Sequence, residues 1–177
     1  MTTLLSTQIP DNVNPLSPNG YMFALDRIPS LSYFCQEVAL PSISLPDTIQ
    51  NTPFSKVSLP GDQIDYGLLT IQFLVDDKMA NYKAIHNWLV GLGFPENYKQ
   101  YSDITNANLI PGKSEVARAS SDATLMILGN DNNPIQTIQF TDCIPQNLES
   151  LTFTSTNQDV QYLIGSVTLS YSYYKFI

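Results

Sequence analysis

The pattern of apolar and polar positions is sharpest near the C-terminal end. From Gln161 to Lys175, Leu163, Val167, Leu169, Tyr171 and Tyr173 fall on one face, and Ser166, Thr168, Ser170 and Ser172 on the other. Period two marks a half-buried β-strand. A single strand of that length would be about twice the common ~5–6 residues. Its outer face is small and uncharged, which suits a barrel or a multi-subunit β-wall.

A second alternation runs from Leu68 to Val75, with Leu69, Ile71, Phe73 and Val75 opposite Leu68, Thr70, Gln72 and Leu74. Asp76 and Asp77 follow with N-cap chemistry. The period then changes. Met79, Tyr82, Ile85, Leu89 and Leu92 recur at three- and four-residue steps with Trp88 beside them, predicting a helix over 77–92. Gly91, Gly93 and Pro95 read as its stop. Tyr82, Ile85, Trp88 and Leu89 are the expected contacts between helix and sheet.

Further strands are expected at Tyr21–Ile28, Leu31–Leu40 and Leu148–Thr154. Thr124–Leu128 and Ile135–Phe140 read as a hairpin around the turn Gly129–Pro134. Residues 1–20, with Pro10, Pro15 and Pro18, read as an extended arm. Residues 41–67 are punctuated by Pro41, Pro46, Pro53, Pro60 and Gly61, with short β-like pieces at Ser44–Ile49 and Lys56–Leu59. That composition predicts a surface excursion hairpin, not a central strand. Residues 96–121 are polar and read as a loop. One mainly antiparallel domain over 21–177 with one packed helix accounts for this order.

Composition narrows the function. Only 14% of residues are charged, against a usual ~25%, so the surface can be buried against other subunits at low desolvation cost. A net charge of −8 with eight scattered basic residues argues against a nucleic-acid binder, because phosphate neutralisation needs clustered Lys and Arg. No run of 18 apolar residues occurs, so no membrane insertion is expected. The first ten residues lack a basic region and a long apolar one, so no secretory signal is expected. Cys35 and Cys143 are single and far apart, which fits free thiols in a reducing compartment better than a disulfide framework and leaves a bridge between the two as the alternative.

Candidate chemistry is thin. His86 is the only histidine, and no ligand spacing supports a metal. No nucleophile elbow or Cys–His pairing is visible, and capping accounts for Asp76-Asp77. Gly91-Leu-Gly-Phe94 copies the carboxylate-binding string of PDZ domains but ends a helix instead of preceding a strand. Asn130-Asp-Asn132 is similar to the start of a calcium loop but lacks the acidic residue that would close it. No catalytic residue, cofactor or metal is expected.

Two constellations carry a resemblance. One is Leu69-Thr-Ile-Gln-Phe-Leu-Val-Asp-Asp-Lys-Met-Ala-Asn-Tyr-Lys-Ala-Ile-His-Asn-Trp88. The other is Ile138-Gln-Phe-Thr-Asp-Cys-Ile-Pro145 followed by the alternating C-terminal stretch. In this order they resemble the tail-tube family of contractile-tailed bacteriophages, and are most similar to the baseplate proteins that initiate the tube. The resemblance runs from about Leu40 to the C-terminus. It implies an antiparallel β-barrel or sandwich with a packed helix, assembled as a hexameric ring next to tail-tube and baseplate rings. Phage DNA would pass through without specific binding. The chain would be a virion tail protein, assembled in the host cytoplasm and active in DNA ejection. Under this resemblance Thr168, Ser170 and Ser172 would face the channel, and Pro46, Pro53, Phe54 and Pro60 would belong to an inter-subunit arm. A repeating tube subunit or a tube-capping ring is the alternative within the family. Outside it, the alternative is a β-sandwich receptor- or glycan-binding module using Tyr98 and Tyr101.

Overall fold

The computed structural model describes residues 13–51, 54–93, 95–107, 118–155 and 161–177. Its elements are β1 (Tyr21–Leu25), α1 (Ser30–Phe34), β2 (Cys35–Ala39), β3 (Ile43–Ser44), β4 (Asp47–Asn51), β5 (Lys56–Pro60), β6 (Asp65–Tyr66) and β7 (Leu69–Leu74). They continue with α2 (Ala80–Gly93), α3 (Lys99–Ala107), β8 (Ser121–Leu128), β9 (Pro134–Leu148), β10 (Ile164–Ser170) and β11 (Tyr173–Phe176). The main sheet runs β1-β8-β9-β10-β7-β2, every pair antiparallel, with β11 also on β9.

β9 joins two layers. Its first half pairs with β8 and β11, and its last residues pair with β10. At the changeover Asp142 has a positive φ of 57°, held by its N–H donating to Asp122 Oδ1 and by Ser120 Oγ donating to its own Oδ1, both at 3.1 Å. One layer contributes Phe23, Leu25, Ala123, Leu125, Ile138 and Phe140 to the core. The other contributes Leu69, Ile71, Phe73, Val167 and Leu169, all in one buried cluster. In β7 the alternation holds residue by residue, with Leu69, Ile71 and Phe73 buried and Thr70, Gln72 and Leu74 half-buried.

Several local expectations change. The C-terminal strand is two strands: Ser172 lies in the break between β10 and β11, its N–H donating to Thr141 O at 3.0 Å. The phase shifts there, so Tyr174, not Tyr173, turns in beside Tyr171. Residues 30–34 form α1 instead of continuing a strand, because Pro29 adopts an αR conformation (φ −61°) that starts a helical turn. β9 extends through Pro145 to Leu148, and Leu148–Thr154 contributes only its first residue to a strand.

The second helix is shorter at its start and longer at its end than 77–92. Met79 at φ 55° closes a turn back to Asp76 O, and α2 begins at Ala80. The buried Asn81 ties this entry, its amide donating to Leu74 O at 2.7 Å and its oxygen accepting from Tyr82 N at 2.8 Å. Asp76 and Asp77 therefore do not cap the helix. Gly91 does not stop it either. It lies buried inside α2, where a side chain would collide with Ile104 of α3. The polar stretch expected as a loop supplies α3, so the described residues hold a packed helix pair and not a single helix.

Candidate assembly surfaces

Thr168 and Ser170 lie on the outward face of the β7–β10 layer. Thr168 sits between Thr70 of β7 and Asn147 of β9, and Thr70 pairs onward with Ala39. In the next row Ser166 opposes Gln72, which opposes Glu37. These rows form a mostly uncharged polar wall in which Ser166 is buried, Ala39 is apolar and Glu37 is charged. Thr168 and Ser170 are half-buried, which is ordinary crowding on a central strand. Ser172 does not join them, being exposed in the strand break.

Residues 41–67 leave the body as two successive two-stranded ladders, β3 with β6 and then β4 with β5. Backbone bonds from Gly67 N to Ser42 O (2.8 Å) and Gly61 N to Pro46 O (3.0 Å) set the joints. At the root Tyr66 packs edge-on against Tyr171 and Tyr174, with ring centroids 5.9 and 5.7 Å away. Tyr171 is pushed up to about 12 by burial, with Tyr174 and Tyr66 adding to it, so its phenol stays neutral. Beyond the root every residue of β4 and β5 is exposed, on both faces. Ile49, Val57 and Leu59 project into solvent there, and Phe54 at the tip is 99% exposed. Pro46 and Pro60 are exposed as well, and Pro53 lies outside the described residues. An isolated two-stranded hairpin is marginal in water, and this one exposes Ile49, Val57 and Leu59 among polar and charged neighbours.

The helix residues serve the scaffold. Ile85 and Trp88 are buried, and Tyr82 and Leu89 pack part-buried against the core. Trp88 Nε1 donates to Ala119 O at 2.8 Å, and the Arg27 guanidinium lies 5.2 Å from the indole centroid. Arg27 also donates to Arg118 O and Ile104 O, both at 3.2 Å. Burial lowers its pKa; carbonyls and an aromatic face receive the cation. Tyr98 is exposed just before α3, while Tyr101 on α3 is half-buried, so the pair presents no continuous aromatic platform.

No nucleophile emerges from the thiols. Cys35 and Cys143 are both free, and burial pushes them up to about 11 and about 12 respectively. They are protonated and unreactive at neutral pH. Among the described residues no group of three or more His, Cys, Asp or Glu could hold a metal ion, and no helix is long and apolar enough to cross a membrane.

A two-layer antiparallel sheet, a helix pair packed on it and a long hairpin leaving between early strands together define the fold of contractile-tail tube proteins. Solved structures bear this out. The anti-feeding prophage tube-terminating cap matches with a TM-score of 0.64 over 99% of both chains, at 11% identity. The anti-feeding prophage baseplate gives 0.63 over 94% of this chain and 97% of that one, at 13% identity. The sheath/tube terminator of an extracellular contractile injection system gives 0.56 over 93% and 97%, at 17% identity. By sequence, 146 residues align at 24% identity with the tail tube terminator protein of Enterobacteria phage T4, covering 79% of this chain and 74% of that protein. No family model matches the chain. The chain therefore has the fold of the contractile-tail tube proteins and is similar in sequence to a phage tail tube terminator. Its named relative is a terminator, whereas the sequence motifs look most similar to tube initiators.

Proposed function

We propose that this chain is a structural, non-enzymatic protein of the virion tail that forms a six-membered ring terminating the tail tube. The alignment with a tube terminator over four-fifths of the chain carries this reading, and the chain-long similarity to a terminating cap supports it. The physical features fit the role. Unpaired strand edges and an apolar arm favour assembly over a free monomer. A wall of Thr, Ser, Gln and Asn on an acidic protein offers a DNA channel few cations to grip phosphate, so DNA slides through during ejection. The ring assembles in the host cytoplasm and stacks on adjacent tube rings.

The second reading is a tube initiator at the baseplate, favoured by the nearly equal fold similarity to the anti-feeding prophage baseplate. A tube-growth assay with the cognate tube subunit separates the roles. A terminator stops elongation of preformed tubes and starts none. An initiator shortens the lag and multiplies tube number. A repeating subunit polymerises alone. Electron microscopy of the products should show six-fold rings with a central hole at tube ends. A chain that stays monomeric with tubes present, and leaves their length unchanged, would sink the proposal.

A further inference from the structure

The chain enters β1 through a tight place. Gly20, just ahead of the strand, accepts a hydrogen bond from the Leu128 N–H at 2.9 Å, the first rung between β1 and β8. A side chain at position 20 would stand 2.9 Å from the Leu128 carbonyl oxygen and 3.3 Å from its Cβ, so the strand starts this way only with glycine. The residue before it is Asn19, exposed in the turn at residues 18 and 19. Its side chain makes no hydrogen bond among the described residues. Asn81 is the contrast, buried and bonded to Leu74 O and Tyr82 N.

Asn19-Gly20 is the one Asn–Gly step in the sequence; every other asparagine precedes a residue with a side chain. That step has a chemistry of its own. The backbone nitrogen of Gly20 attacks Asn19 Cγ, with no Cβ on residue 20 to hinder the approach. The N–Cγ bond forms, the Cγ–Nδ2 bond breaks, and ammonia leaves with the proton given up by the backbone nitrogen. The product is a cyclic succinimide, which a water molecule then opens at either carbonyl. Attack at Cγ gives aspartate on an ordinary main chain. Attack at the main-chain carbonyl gives isoaspartate, whose main chain runs through the former side chain and is longer by a methylene. Water enters and ammonia leaves; nothing is oxidised or reduced.

We propose that Asn19 is a self-modification site of the folded chain, passing through the succinimide to aspartate and isoaspartate, and that the isoaspartyl form loosens the start of β1. The fold itself fixes the reactive pair, because a protecting side chain at 20 would collide with Leu128. The added methylene falls directly before the Gly20–Leu128 rung. On the other side the chain is held where Asn130 Nδ2 donates to Pro15 O at 3.3 Å. Pro15 and Pro18 stiffen the stretch between these points, so the rung yields to the longer chain. Either product also adds a negative charge to the cleft that Asn19 lines between β1 and β2, where Glu37 is the one charged residue.

The test holds the full-length protein and its Asn19→Gln and Asn19→Asp variants folded in mildly alkaline buffer, with a parallel sample of the parent unfolded in urea. Ion-exchange chromatography follows the acidic species, and tandem mass spectrometry of the tryptic fragment ending at Arg27 locates the change. The parent should convert at Asn19 ahead of every other asparagine, folded as well as in urea, and Asn19→Gln should lose that acidic fraction. Hydrogen exchange of the separated isoaspartyl form should show lost protection at the Leu128 N–H. Asn19→Asp, which carries the charge without the added methylene, should keep it. Conversion at Asn19 in urea alone would overturn the proposal, since the folded turn would then hold the amide out of reach. So would earlier conversion at another asparagine, or an isoaspartyl form that protects the Leu128 N–H as the parent does.

Discussion

Truncating Trp88 should cost more than any other single change to the helix pair. The side chain is 2% exposed and fills the space between α2 and the sheet. Trp88→Ala removes a full indole from a packed core, worth about 3–5 kcal/mol. It also strips the donor from the Ala119 carbonyl, at about 1–3 kcal/mol when no water replaces it. The Arg27 cation loses its aromatic face, about 0.5–1 kcal/mol more. The contributions overlap, because a cavity that admits water would satisfy Ala119 and Arg27 together, so about 4–6 kcal/mol is expected. Against a total of ~5–15 kcal/mol for a domain, that leaves the variant marginal at room temperature. Trp88→Phe keeps most of the volume and loses the N–H, so it should cost about 1–3 kcal/mol. Urea unfolding should be followed by far-UV circular dichroism, since Trp88 is the only tryptophan and its fluorescence goes with it. A loss under about 1 kcal/mol for Trp88→Ala would show that the helix pair does not depend on this contact. Equal losses for the two variants would show that the hydrogen bond, not the packing, dominates.

Gly91→Val should push α3 off α2 and cost about 1–3 kcal/mol by thermal melt, and Ile104→Ala in the same chain should recover part of it, because Ile104 is the side chain a branched residue would strike. Leu169→Asp should abolish cooperative folding by burying an unpaired carboxylate, whereas Thr168→Lys on the opposite face should cost less than about 1 kcal/mol; equal damage from both would mean that the β10 outer face is core. Stability should fall in alkali. An unburied thiol ionises near pH 9 while the Cys143 thiol is held up to about 12, so the unfolded chain gives up its proton first and the stabilisation present below pH 9 is lost as pH rises toward 12. Cys143→Ala should flatten that part of the profile in urea midpoints taken at about pH 8 and about pH 10.5, and an unchanged slope would remove Cys143 as its source.

Alternation alone placed the core of β7 and β10. A residue flanked by strands on both sides has two faces and no other choice, so Leu69, Ile71, Phe73, Val167 and Leu169 read directly as buried. The Ile85–Trp88 face was equally plain, because a 3.6-residue period with a large aromatic has few places to go. Proline spacing marked 41–67 as an excursion, since a chain without regular donors cannot join a central ladder.

What the sequence could not decide was everything set by distant partners. α3 is short and polar on average, and it is held by Ile104 lying on Gly91, a contact that no local window contains. Gly91 and Gly93 looked like a helix stop because glycine ends helices more often than it admits a neighbour. The uninterrupted alternation from Leu163 to Tyr173 concealed the break at Ser172, because periodicity reports which face a residue takes and not whether the strand keeps one partner. β9 changes layers at Asp142, and the strand pairing with it must divide into β10 and β11 to follow. The open edges likewise exist only in three dimensions: strand order ends at β1 and β2 without closing, and it is decided by long-range pairing that local propensity does not encode.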